Sequence, residues 1–156
     1  LGAISPDYIC MDGSIPRKKL GTVLNEITRL SKKYELAVAN CFHAGDGNLH
    51  PLIMFDSNNK KELKKAESFG ADILKYCVKV GGVLTGEHGV GIEKRDLMCE
   101  MFNNDDIQQQ LSLKKAFDEK SLLNPGKVFP ILHRCAEEGR VHVHKGKTRF
   151  PDLPSF

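Results

Sequence analysis

The 156-residue chain lacks several things that would define it at once. Its apolar runs, such as Leu52 to Phe55, last only a few residues. A bilayer needs roughly 18–20, so a transmembrane helix is excluded. No charge of one sign dominates: 23 basic against 20 acidic residues leave +3, spread along the chain apart from a basic tail. That balance excludes nucleic acid as the expected partner. Five cysteines, Cys10, Cys41, Cys77, Cys99 and Cys135, include no C-x-x-C pair. Neither a disulfide framework nor a thiolate zinc site is indicated, and the usage fits a reducing cytosol. The chain opens at Leu1 without methionine or a targeting segment, as expected of a piece of a longer protein. What is present is ordinary globular material, 40% hydrophobic and 28% charged.

Periodicity predicts the elements. Ile4 to Asp12 alternates loosely and reads as a strand, and Asp12 to Pro16 as a turn into a helix. Leu20, Val23, Leu24, Ile27, Leu30 and Tyr34 recur at three- and four-residue steps, the mark of an amphipathic helix. Leu36–His43 and Leu49–Phe55 read as a hairpin around Ala44-Gly45-Asp46-Gly47-Asn48. Asn58 to Val80 is a second helix stopped by Gly81-Gly82, and Val83-Leu84-Thr85 a short strand. Helices over Ile92–Phe102 and Asp105–Asp118 follow, the latter with Asn104 as N-cap. Asn124-Pro125-Gly126-Lys127 is a loop, and an extended or partly disordered tail begins near Pro130. The order predicts an α+β fold: a ferredoxin-like antiparallel sheet, its second half, with helices on one face.

Two motifs could carry chemistry. In His43-Ala44-Gly45-Asp46-Gly47-Asn48-Leu49-His50, a hairpin would set His43 and His50 opposite each other across the turn. Opposed residues have Cβ atoms about 4.5–5.5 Å apart, so two imidazoles could meet on one divalent metal. The plainer alternative is a strand histidine and a surface histidine. In Gly86-Glu87-His88-Gly89-Val90-Gly91, neighbouring side chains point opposite ways. Glu87 could then complete a two-histidine, one-carboxylate site while His88 faces substrate. The plainer alternative is a surface Glu-His pair in a glycine loop. Those glycines match neither the dinucleotide fingerprint nor the P-loop. In the tail, His142 and His144 read as solvated residues.

Together these motifs resemble the carboxy-terminal part of FAD-linked oxidases of the vanillyl-alcohol oxidase superfamily. The matching stretches include Ile4–Tyr8, Cys10–Gly13, Asn40–Pro51, Gly86–Gly89 with Lys94, Phe117-Asp118, Leu122–Lys127 and the tail from Leu132 to His144. The resemblance implies FAD-dependent oxidation of a 2-hydroxy acid, glycolate or D-lactate, assisted by a divalent metal such as zinc, iron or manganese. It assigns the metal to His43, His50 and Glu87, the base to His88, and a contact with the flavin ring to Asn124. It makes residues 1–91 part of the substrate or cap domain and residues 92–130 helices and a loop packing toward the FAD domain, ahead of the tail at 131–156. FAD would be held mainly by an upstream domain, so these residues alone are expected to be inactive. The implied setting is a cytoplasmic oxidase complex with other subunits, at most peripheral on the inner membrane. Ala3 stands where the family often has a basic residue, and Cys10 stands near the position of a substrate-binding lysine in related dehydrogenases. Two other readings of the residues are open: a metal-dependent hydrolase acting through bound water, and a non-catalytic subunit-interaction domain.

Overall fold

A computed structural model describes residues 1–130; the expected tail, with His133, His142 and His144, lies outside the described residues. The chain divides into two compact units, Leu1–Gly89 and a second beginning at Val90.

The first unit is built on β4 (Asn48–Phe55), the longest strand. On one edge it pairs antiparallel with β3 (Val38–His43), closing the predicted hairpin at the His43–Asn48 pair. The other edge carries β1 (Asp7–Cys10) and β2 (Gly13–Ser14). Both keep one register against β4, Cys10 facing Leu52 and Gly13 facing Leu49, so they are one strand interrupted at Met11 and Asp12. The interruption falls where Pro51 accepts from the Met11 N–H at 3.1 Å but has no N–H to return the bond. Gly13 and Ser14, expected in a turn, thus extend the sheet. The strand expected at Val83–Thr85 is reduced to one antiparallel bridge between Ser14 and Val83. Helix α1 (Leu20–Tyr34) joins the interrupted strand to β3, which runs parallel to it across β4. Helix α2 (Lys60–Lys79) follows β4, its N–H groups at Lys61 and Glu62 capped by the Asn59 side chain. The architecture is the expected α+β one, an open four-stranded antiparallel sheet.

Alternation along β4 separates the sheet's faces. Leu49, Pro51, Ile53 and Phe55 are buried, while His50, Leu52 and Met54 are partly open. The buried set shares a core with Val23, Ile27 and Leu30 of α1 and with Ala66, Phe69, Ile73, Leu74 and Cys77 of α2. Burying each large side chain contributes about 1.5–3 kcal/mol, which is what holds both helices to this face. Gly70 and Gly13 let the layers close: a Cβ at Gly70 would strike Met11, and one at Gly13 would press on Leu74 and Cys77.

In the second unit, Arg95–Leu97 forms a 3-10 turn, α3 spans only Met98–Met101, and α4 spans Asn104–Phe117. The helix expected from Ile92 is shorter because Gly91 adopts φ +55° and Phe102 turns extended before a new cap. That cap is Asn103 rather than Asn104. Its side chain accepts from the Asp106 N–H while Asp106 accepts from the Asn103 N–H, a reciprocal capping box. Cys99 and Ile107 are buried against Phe102, Leu111 and Phe129.

Candidate metal and substrate site

The site occupies the sheet face turned away from the helices. Strand register places His43 opposite Asn48 and Cys41 opposite His50. The two histidines are therefore diagonal neighbours on one face rather than directly opposed, as the sequence suggested. The reason is the turn, where Asp46 and Gly47 both donate to the His43 carbonyl and close the hairpin at residues 43 and 48. The diagonal still brings the rings together, with centroids 5.4 Å apart and nearly perpendicular planes.

Glu87 completes the cluster. Its Oε1 lies 2.9 Å from His50 Nε2 and 3.6 Å from His43 Nε2. Ligand atoms of His43, His50 and Glu87 all fall within 4.8 Å of one another. Two imidazole nitrogens and a carboxylate oxygen so grouped suit a zinc-like ion, with bonds of about 2.0–2.2 Å and positions left for substrate. The residues present therefore fit a divalent cation. His88 stands beside them, its ring centroid 4.8 Å from that of His50 and its Nε2 3.9 Å from Glu87 Oε1. Glu87 and His88 are about half exposed, at 52% and 48%, whereas His50 is 13% exposed.

Two buried residues missing from the sequence prediction underlie this cluster. Asp12, at the interruption of the first strand, accepts from the Thr85 hydroxyl at 2.7 Å. It also accepts from the N–H groups of Gly86, Glu87 and His88 at 2.8, 3.2 and 3.0 Å. Burial pushes its carboxyl upward, but the Thr85 hydroxyl and these three amides outweigh it and hold the group far below the usual carboxylate range. The glycine loop is therefore no phosphate cradle, since the amides of residues 86–88 already face an internal carboxylate. Asn48 places its Nδ2 3.2 Å from His50 Nε2, while its buried Oδ1 has no hydrogen-bond partner. Gly86 makes room, since a side chain there would collide with Asn48 and Asp12. Asp12 pairs across 73 residues with Thr85, so no local pattern could reveal it. Asn48 read only as a turn residue.

Asn124, the sequence candidate for flavin contact, belongs to the second unit. It is exposed with φ +47°, and its Oδ1 accepts from Lys127 Nζ at 3.0 Å. Among the described residues no helix is long and apolar enough to cross a membrane.

Residues 1–128, which carry both this fold and these motifs, match the family described as FAD linked oxidases, C-terminal domain. The chain belongs to that family. It is 57% identical over all 156 residues to glycolate oxidase subunit GlcD of Escherichia coli (strain K12), covering 31% of that protein. Over 129 residues, 83% of the chain and 27% of the relative, it is 36% identical to glycolate oxidase subunit GlcD of Bacillus subtilis. It is also 37% identical over 120 residues to the mitochondrial D-lactate dehydrogenase [cytochrome] of Kluyveromyces lactis, covering 77% of the chain and 20% of that enzyme. The chain thus spans less than a third of the length of these relatives.

Proposed function

We propose that the chain is the metal- and substrate-binding part of an FAD-linked 2-hydroxy-acid oxidoreductase of the glycolate or D-lactate type. The observation that carries this reading is the convergence of His43, His50 and Glu87, within 4.8 Å, on the open face of the sheet. These three residues would hold the divalent cation (zinc, iron or manganese), with His88 free of it. The names of the relatives, glycolate oxidase and D-lactate dehydrogenase, support the substrate class. The word subunit in the first supports assembly with other chains; a cytoplasmic setting for that complex is part of the proposal.

When bound, the cation supplies Lewis acidity to the substrate's α-hydroxyl and FAD supplies the hydride acceptor. The chain's own residues orient the substrate and manage its proton. His88 Nε2, at 3.9 Å from Glu87 Oε1, is beyond hydrogen-bond reach of that carboxylate. A neutral imidazole there can accept the hydroxyl proton as C2 gives up its hydrogen with the bonding pair. The low exposure of His50 and the full burial of Asp12 limit water on the inner side of the site. Asn124 offers its exposed amide as a flavin contact. The residues at 1–91 form part of the substrate domain and those at 92–130 pack toward the flavin domain in this reading. Residues 1–156 alone should show no turnover of glycolate.

The test separates ligand from base in the full-length gene product. His43→Ala and Glu87→Ala should lose metal and glycolate or D-lactate oxidation together. His88→Ala should keep the metal but slow oxidation roughly 10²–10⁴-fold, the usual worth of a general base. Metal lost with His88→Ala and kept with Glu87→Ala would reverse the roles. Elemental analysis together with turnover decides between them.

A further inference from the structure

We infer that Asp12 is the positioning residue of this site, setting where Glu87 and His88 stand relative to the histidine pair. The inference rests on the metal reading proposed above and extends it to a residue that touches neither cation nor substrate.

The geometry is specific. Asp12 is fully buried, and its Oδ2 accepts from Thr85 Oγ1, Gly86 N and His88 N, while its Oδ1 accepts from Glu87 N. Three successive amides are thus turned inward onto one carboxylate, an arrangement that usually binds an external anion. Here the anion is supplied by the fold. With its backbone held at Glu87 N and on either side, the glutamate carboxylate has only its own short side chain in which to vary. Glu87 Oε1 consequently stands 2.9 Å from His50 Nε2.

The same carboxylate is tied to the histidine strand. Continuing the shared register of β1 and β2 against β4 puts Asp12 opposite His50, and Asp12 Oδ1 lies 3.4 Å from His50 Nε2. One side chain therefore references the 85–88 segment to the strand that carries a proposed ligand. The interruption opposite Pro51 is what lets residue 12 leave regular pairing. Gly86 lets the segment approach, because a Cβ there would meet both Asp12 and Asn48. Charge-assisted bonds of this kind are about twice as strong as neutral ones, which suits a positioning role.

The probe is Co(II), whose visible absorption reports ligand geometry, and Zn(II) by competition, both with the metal-depleted full-length gene product. Asp12→Asn keeps the shape but cannot accept from all four donors. It should weaken Co(II) and Zn(II) binding by roughly 10–100-fold, the usual cost of losing a residue that orients a ligand. It should also alter the Co(II) visible spectrum while the far-ultraviolet circular dichroism is retained. Thr85→Val, which removes one donor and leaves the carboxylate, should weaken binding by less than Asp12→Asn and in the same direction. If Asp12→Asn does not fold, Thr85→Val alone decides by its affinity and spectrum. Wild-type affinity and an unchanged spectrum in the variants, with a wild-type protein that binds Co(II), would overturn the positioning role and leave the metal reading intact. A wild-type protein that binds neither ion overturns the metal reading itself, and this inference with it.

Discussion

Leu49 and His50 are neighbours on β4, yet one belongs to the core and the other to the site. On the helix-covered face, Leu49, Ile53 and Phe55 are buried together with Phe69, Ile73 and Leu74 in an apolar layer. On the opposite face, His43, Asn48, His50 and Asp12 gather polar groups that gain nothing from apolar burial. A strand's two-residue period makes this division available, and covering only one face with helices makes it useful. The difference teaches that stability and chemistry are separable here. Substitutions on the two faces should therefore fail in different ways.

The largest expected effect is on the packed face. Phe69→Ala removes a fully buried ring and should cost about 3–5 kcal/mol, seen as a large drop in the thermal unfolding midpoint. Metal affinity of the folded fraction should be unchanged. If it falls at temperatures where the variant is fully folded, the two faces are not independent.

A smaller loss of stability with a larger loss of binding is expected at the seam between core and site. Gly86→Ala would set a methyl against Asn48 and Asp12, so the 85–88 segment must shift. Overpacking of this sort costs about 1–3 kcal/mol, and zinc binding should weaken by more than that loss of stability accounts for. Calorimetric titration alongside thermal unfolding tests the imbalance. A variant equally stable and equally tight would show that the segment has slack.

The smallest effect concerns a charged cluster away from the site, whose Tyr34 ring stacks on Phe69 at 5.5 Å. Asp72 on α2 accepts from Lys33 Nζ at 2.8 Å and from the Tyr34 hydroxyl at 2.7 Å, with Lys75 also nearby. Burial raises its carboxyl, but these partners outweigh that and keep it below the ordinary value. A depressed carboxyl contributes stability that is present above the unfolded value near pH 4 and is lost as pH falls through the folded one. Asp72→Asn should therefore cost under about 1 kcal/mol at pH 7 and flatten the acid limb of the stability curve. An unchanged limb below pH 4 would assign acid sensitivity elsewhere.

Much of this was readable in advance, for stated reasons. The apolar steps from Leu20 to Leu30 predicted α1, and Gly45-Asp46-Gly47 predicted the hairpin, because both signals are local. The histidine pair and Glu87 were legible as candidates because few residue types bind a divalent cation. Their diagonal arrangement was not legible, since register depends on which carbonyl closes the turn. The helix expected at Ile92 shortened because local apolar content does not report the positive φ at Gly91.

The sequence by itself determined the alternation of β4, the amphipathic helices and the identities of the residues able to hold a cation. These follow from periodicity and side-chain chemistry, which act over a few residues. Only the tertiary structure decided that Asp12 meets Thr85, Gly86, Glu87 and His88, and that Pro51 breaks the neighbouring strand where Asp12 is needed. Such contacts join segments more than 70 residues apart. They form because a buried carboxylate must find donors, and chain folding alone determines which donors are within reach.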